Sequence, residues 1–367
     1  MRQLKLVATV LMTSVLAACG GGGSDVPAKP KFTAQVSFGD SLSDVGSYKV
    51  GLVAALGGGQ FTINGAAGVP TNWTEMTAIK LGLPMPCTAQ TGLDNGSGAA
   101  PGTPAGTVIP VVNNATCMGY AQGGSRVTSP VGIGNKLIPV VAPAQPGFAL
   151  TVPVVTQISN HLAAHGGSFT GSEVVTVMAG ANDVFMQAGL VGATYSPASA
   201  VAAVQTAATE LAAAVNTQII AKGAKQVVLV SVPDIASTPQ VTSIANPVAK
   251  AQTAGLIDTL VKTFNATLKA GVPDSAVVLY VDAYTASKDE VANPAKYNLT
   301  NVVATACNLA APSNPLASSL ACNAGNLAVG VTPADHYLFA DNVHPTPYGH
   351  LLFATYVLQA MTNKGWY

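Results

Sequence analysis

VSFGDSLSDVG, residues 36 to 46, joins a short apolar run to a glycine and then to a small polar stretch. The run Ala34–Phe38 reads as a buried parallel strand, a short apolar segment closed by a turn signal at Gly39. Three further segments have the same character: Val174–Met178, Gln226–Val232 and Ala276–Val281. Helical segments lie between and after them. Ser196 to Ala221 is alanine-rich, with Ser196 as N-cap, Pro197 in the first turn and Gly223 just past the end. Asn246 to Ala270 repeats the pattern with Pro247 and Gly271, and Thr346-Pro347 opens a helix to about Met361. Strands alternating with helices of this length imply right-handed βαβ units and a doubly wound α/β sheet. Residues 57–150 and 285–335 are crowded with Gly, Pro, Asn and Ala and read as long loop insertions, a setting in which function concentrates.

Among 367 residues, 49% are hydrophobic and 9% charged, and the net charge is zero. Disorder needs the reverse balance, and nucleic-acid binding needs a basic surface, so neither is expected. At the N-terminus, Arg2 and Lys5 precede an apolar stretch from Leu6 to Leu16. It is short of the about twenty residues that cross a bilayer. It ends in Leu16-Ala17-Ala18-Cys19-Gly20, which resembles the lipobox of bacterial lipoproteins. That resemblance implies a signal peptide over 1–18, lipidation of Cys19, and a Gly-rich tether over 19–31 that holds a single domain, 32–367, at a membrane. Gly20 after the cysteine resembles lipoproteins sorted to the outer membrane. Four cysteines remain, and an even number in an exported chain suggests disulfides. Of three pairings, Cys87–Cys117 with Cys307–Cys322 is preferred, because each closes a local loop in a Gly/Pro/Asn-rich segment. A zinc site is the rival, but the chain has no C-x-x-C and no H-E-x-x-H.

In an open α/β sheet, ligands bind outside the carboxyl ends of the strands. Gly39-Asp40-Ser41 falls at that edge, with Ser41 expected where a helix begins, either as an N-cap or as a nucleophile. A nucleophile needs a base. His161 and His165 fit the end of a helix, His350 a packing or surface position in the last helix, and His336 a loop without an evident partner. His344 stands three residues after Asp341, a spacing that sets a carboxylate against one imidazole nitrogen and frees the other for a serine. Pro345 restricts His344 to extended backbone. Asn182 follows the strand Val174–Met178 in Gly180-Ala181-Asn182-Asp183, so its amide reaches the same edge and suits a developing oxyanion. Gly123-Gly124 offers unobstructed backbone N–H groups.

Taken together, Gly39-Asp40-Ser41-Leu42, the glycine block at 123–124, Gly180-x-Asn182-Asp183 and Asp341-x-x-His344 resemble the GDSL, or SGNH, hydrolase family, in its order of blocks. The resemblance implies a three-layer, flavodoxin-like α/β fold, with the two disulfide-bearing loops as insertions. It also implies Ser41 as nucleophile, Asp341 and His344 as its partners, and an oxyanion hole from Ser41 N–H, Gly124 and Asn182, Gly124 being preferred over Gly123. Gly119 stands where many relatives have asparagine. No G-x-S-x-G occurs, unlike the α/β-hydrolase lipases. The expected activity is ester or lipid hydrolysis through an acyl-enzyme, with no metal or cofactor, in a monomer anchored by its lipidated N-terminus on the cell surface or facing the periplasm. The alternatives are a lipid acyltransferase using a sterol or glycerol alcohol, a polysaccharide deacetylase, and a surface lipoprotein that binds without turnover. Trp73, Tyr120, Phe185 and Tyr337 are candidates for lining an apolar cleft.

Overall fold

The computed structural model describes residues 29–94, 108–138, 147–192 and 194–367. The expected signal peptide, Cys19 and all but the last three residues of the tether lie outside the described residues.

Strands β1 (Ala34–Gly39), β4 (Glu173–Met178), β5 (Gln226–Val230) and β6 (Val278–Val281) form a parallel sheet in the order β1-β4-β5-β6. Strands β2 (Gln90–Leu93) and β3 (Ile109–Asn113) pair separately as an antiparallel ribbon, and β7 (Asn301–Thr305) with β8 (Tyr337–Phe339) as a parallel one. Register in the main sheet explains its near-continuous valine runs. Val36, Val175, Val227 and Val278 align as one row across all four strands, and all four are buried in the same core cluster. Val228 and Leu279 align in the next row and are buried in a second cluster on the opposite face. A parallel sheet covered on both faces needs apolar residues at both phases of its pleat, which is why these strands do not alternate with polar residues.

Helices α3 (Val154–Ala164), α4 (Ala181–Leu190), α5 (Pro197–Ala214) and α7 (Pro247–Gly271) supply the first cluster. Helices α2 (Trp73–Lys80) and α9 (Pro347–Asn363) cover the other face, with Trp73, Val357 and Met361 fully buried there. Three layers result. The expected caps form: Ser196 Oγ accepts from Ser199 N at 3.1 Å, Asn246 Oδ1 from Val248 N and Ala249 N at 3.0 Å, and Thr346 Oγ1 from Gly349 N at 3.1 Å. Each satisfies an N–H that the first helical turn leaves unpaired. Helix α5 continues through a π-helical turn, Val215–Ile220. Two strands are shorter than expected, β5 ending at Val230 and β6 starting at Val278.

The stretches read as loop insertions hold more order than their composition suggests. Helix α2, strands β2 and β3 and α1 (Gly51–Ala55) fall within or beside the first, and α8 (Ala283–Ala292) with β7 in the second. Helix α2 has a local cause. Asn72 and Glu75 form a reciprocal capping box, with Asn72 Oδ1 accepting from Thr74 N at 2.9 Å and Glu75 Oε2 from Asn72 N at 3.0 Å. The short α6 (Pro239–Thr242) follows β5. Both expected disulfides, Cys87–Cys117 and Cys307–Cys322, are present, 30 and 15 residues apart in sequence. A loop of the second length is worth about 3 kcal/mol in chain-entropy terms. His336 does have partners, since its Nδ1 lies 3.0 Å from Asn298 Nδ2 and its ring stacks on Tyr348 with centroids 3.7 Å apart.

His161 is buried against the rings of Phe38, Tyr120 and Phe169, and neither ring nitrogen has a hydrogen-bond partner. Burial, with His165 beside it, pushes its pKa down to about 4. The folded state therefore refuses a proton that the unfolded chain takes up near pH 6.5, and stability falls as pH drops from there toward 4. His161→Phe keeps the aromatic packing and removes this linkage. Denaturant titrations should show the variant gaining on the order of 2 kcal/mol over wild type at pH 4.5, and no such gain at pH 8.

Candidate active site

The exits of β1 and β4 carry two of the sequence blocks, and the glycine block and the Asp341–His344 loop meet them at the same cavity. Ser41 leaves β1 in a turn rather than at a helix start, and the next helix begins only at Gly51. Aspartate side chains take the place of helical hydrogen bonds there. Asp40 Oδ1 accepts from Leu42 N at 3.1 Å, and Asp44 Oδ1 accepts from Gly46 N at 2.8 Å and Ser47 N at 2.7 Å. Such Asx turns compete with helix formation. Ser41 is thus not an N-cap. On the strand side, Gln157 pins the exit from both directions: its Oε1 accepts from Gly39 N and its Nε2 donates to Gly39 O, each at 2.9 Å.

Ser41 Oγ lies 2.9 Å from His344 Nε2. On the far side of the ring, His344 Nδ1 lies 2.9 Å from Asp341 Oδ1 and 2.8 Å from Oδ2. The Asp341 carboxylate also accepts from Val343 N (3.0 Å), His344 N (2.8 Å) and Ser319 N (2.9 Å). Burial alone would raise the Asp341 carboxyl, but His344 and these N–H donors hold it well below the usual carboxylate range. It stays ionised and fixes the imidazole orientation. Phe61 packs on the other side of His344, with ring centroids 4.9 Å apart. His350 is buried behind the site, where its Nδ1 accepts from Trp73 N at 3.4 Å and burial pushes its pKa down to about 3. It serves packing, not the surface.

The glycine block reaches the same edge by running along β1. Ser37 N donates to Met118 O at 3.0 Å, Tyr120 N to Ser37 O at 2.8 Å and Gln122 N to Gly39 O at 3.2 Å. Gly119 is held on its other side by Cys87 and Ala89, and a Cβ there would meet Cys87 O at 2.8 Å. That close approach leaves no room for a side chain at this position. Gly123 N donates to Asp44 Oδ2 at 2.9 Å and Tyr48 Oη donates to Gly123 O at 2.7 Å, so both its backbone groups are engaged. Gly124 has φ +78°, and a Cβ would sit 1.9 Å from Ile133 O. Only glycine fits this turn. Asn182, in the first turn of α4, donates through Nδ2 to Ser125 O at 2.9 Å, which orients its amide and leaves the second N–H for a ligand. Asp183 locks the pieces together, accepting from Arg126 Nε at 2.9 Å and Val127 N at 3.0 Å.

These groups open into a cavity of about 470 Å³, lined by Ser41, Gly124, Asn182, Asp341 and His344 among others. Trp73 and Phe185 line it as expected, but two other aromatic candidates do not. Tyr120 stacks on Phe38 in the core with centroids 5.5 Å apart, and Tyr337 packs beside the Cys307–Cys322 bridge. No His/Cys/Asp/Glu cluster suited to a metal occurs among the described residues. Four contributors were not singled out in the sequence: Asp44, Gln157, Asp183 and Ser319. Asp44 and Asp183 sit inside recognisable motifs, so their presence was readable and their task was not. Gln157 and the Ser319 N–H carry no local signal at all.

Asp44 gathers four donors in a fully buried position: Gly46 N, Ser47 N, Ser47 Oγ (2.5 Å) and Gly123 N. Asp44→Ala would leave them buried and unpaired. Unfolding by denaturant should show a loss of about 3 kcal/mol or more.

A family model described as GDSL-like Lipase/Acylhydrolase matches residues 36–357 of the chain. No curated protein sequence matches it significantly. Among solved structures, the crystal structure of an α/β hydrolase enzyme from the metagenome of Lake Arreo, Spain, is similar with a TM-score of 0.40 and 14% identity, over 90% of this chain and 96% of that one.

Proposed function

The chain belongs to the GDSL-like lipase/acylhydrolase family and is a hydrolase; from that premise we propose that it cleaves carboxylic esters through an acyl-enzyme on Ser41. The observation that carries this reading is the continuous relay from Ser41 Oγ to His344 Nε2 at 2.9 Å, and from His344 Nδ1 to the Asp341 carboxylate at 2.8 Å. A hydroxyl is a weak nucleophile unless a base removes its proton as it attacks. His344 takes that proton, and ionised Asp341 stabilises the imidazolium that forms. The carbonyl oxygen becomes an oxyanion facing the Gly124 N–H, the free N–H of Asn182 and the Ser41 N–H. Engagement of the Gly123 N–H by Asp44 supports Gly124 as the donor of the glycine pair. His344 then protonates the departing alcohol. In the second half, water gives its proton to His344, attacks the acyl-enzyme and releases the acid.

The apolar lining favours acyl chains over charged acids, since Phe61, Ile133, Ile138 and Phe185 all face the cavity. We also propose export and anchoring through Cys19, supported by the basic Arg2 and Lys5, the short apolar stretch and Leu16-Ala17-Ala18-Cys19. Mass spectrometry of the N-terminal peptide from membranes tests that placement: a diacylated Cys19 supports it, and a chain that retains Met1 or is cut elsewhere refutes it.

Ser41→Ala should abolish hydrolysis of p-nitrophenyl esters and labelling by a fluorophosphonate. Asn182→Ala should lower kcat by about a hundred- to a thousand-fold, as loss of one oxyanion donor does. A folded Ser41→Ala protein that retains full activity would sink the assignment.

A further inference from the structure

An oxyanion site at Gly124 depends on which way one peptide plane faces. Gly123 C=O and Gly124 N–H belong to the same trans, planar peptide, so the carbonyl and the N–H point in opposite directions. Whatever holds the Gly123 oxygen therefore aims the Gly124 N–H. That oxygen accepts from Tyr48 Oη at 2.7 Å, and the Gly124 N–H has no acceptor among the described residues. Gly124 and Ser41 line one cavity, and Ile133 N donates to Gly124 O at 3.0 Å, which fixes the next peptide as well. The N–H is thus clamped from both sides and left open at its own end.

Tyr48 is itself held. It is fully buried, and its Oη accepts from Thr151 N at 3.2 Å while donating to Gly123 O. Burial, with Asp44 beside it, pushes the phenol pKa far up, so the hydroxyl keeps the proton it donates. Thr151 is a backbone outlier, a fully buried, β-branched residue with φ 49°. The left-handed region is disfavoured for such a side chain and persists only where the surroundings enforce it. Here they do. Thr151 Oγ1 donates to Pro130 O at 3.2 Å and accepts from Asn135 Nδ2 at 2.9 Å and Gly132 N at 3.3 Å. The next residue is fastened too: Val152 N donates to Gln122 Oε1 at 3.1 Å, and Gln157 Nε2 donates to Val152 O at 2.9 Å. Gln157 is the side chain that pins Gly39 at the exit of β1. The strained residue is therefore the one that holds the Tyr48 hydroxyl, and it is tied to the strand exit that carries Ser41.

Resting on the ester-hydrolase reading, we propose that Tyr48 is a positioning residue for catalysis: anchored by the Thr151 N–H, its hydroxyl aims the Gly124 N–H at the oxyanion and strengthens it as a donor. The bonds run head to tail, from Thr151 N–H to Tyr48 O–H, through the Gly123–Gly124 peptide, to the oxygen of the substrate. Each bond in such a chain polarises the next, so a hydrogen bond received at the peptide oxygen makes its N–H a better donor. A charged acceptor gains more from that donor than a neutral one. The arrangement therefore favours the transition state over the bound ester. Asn182 is oriented separately, through Ser125 O, so the two donors are set by different elements.

Tyr48→Phe removes the hydroxyl and keeps the ring that packs on Phe61, itself packed on His344. With p-nitrophenyl octanoate, and rates expressed per site labelled by a fluorophosphonate, the variant should lose about tenfold or more in kcat. KM should stay within about twofold, because the bound ester carries no charge on that oxygen. An octyl trifluoromethyl ketone supplies the second readout. Ser41 Oγ adds to its carbonyl carbon, the hydroxyl proton passes to His344, and the carbonyl π pair becomes the oxyanion lone pair. Its Ki should rise by the factor by which kcat/KM falls, as a residue acting on the oxyanion requires. An unchanged kcat overturns the proposal. So does a loss of kcat with unchanged Ki, or a rise in KM alone, since the hydroxyl then acts elsewhere. If Tyr48→Phe does not fold, Thr151→Val, which loosens only the anchor, should show the same paired loss in smaller measure, and its absence overturns the proposal. A folded wild type that cleaves no ester overturns the hydrolase mechanism itself, and this assignment with it.

Discussion

One buried carboxylate, that of Asp44, holds together two segments 79 residues apart in sequence. Its Oδ1 shapes the turn after Ser41, and its Oδ2 takes the Gly123 N–H. Together with the backbone bonds that run the glycine block along β1, this side chain ties the turn after Ser41 to the Gly123–Gly124 backbone. Preorganisation of this kind is what an oxyanion site requires, because donors that must reorient during reaction lose most of their worth. Tyr48 and Asp183 complete the restraint, Tyr48 holding Gly123 O and Asp183 holding the Arg126 guanidinium and the Val127 N–H.

The sheet does the coarse placement. Ser41, Asn182, Asp234 and Glu290 lie just beyond or one helix turn or two past the exits of β1, β4, β5 and β6, so the cavity runs across all four carboxyl ends. A ligand lying over that edge meets a new strand about every 4.8 Å. Ser41 and the glycine block sit at the β1 end, and the residues after β5 and β6 line the far end of the cavity. That division follows from strand order alone and needs no separate binding domain.

Much of this was legible in the sequence. Valine runs bounded by turn signals marked the strands, and Ser196, Asn246 and Thr346 marked helix starts, because both signals are local. The relay was legible too, since Asp341 and His344 are three residues apart and the Ser41 and Asn182 blocks each follow a strand. Less was readable where geometry depends on distant partners. Ser41 looked like a helix cap because a serine after a strand often is one, and only the Asx turns of Asp40 and Asp44 prevent it. Tyr120 and Tyr337 looked like cleft residues, yet their packing is decided by Phe38 and by the Cys307–Cys322 bridge. Gln157 and Ser319 bind groups over 100 and just over 20 residues away, and no window of sequence shows that.

Ser319 lies inside the loop closed by Cys307 and Cys322, and its N–H is one of the donors that keep Asp341 charged. Asn64 also grips that loop, accepting nothing from it but donating to the carbonyls of Ser319 and Cys322. The acid of the relay thus rests on a covalent staple that forms only under oxidising conditions. Closing that staple shortens the free chain on either side of Ser319, and so limits how far one of the donors to Asp341 can wander from it.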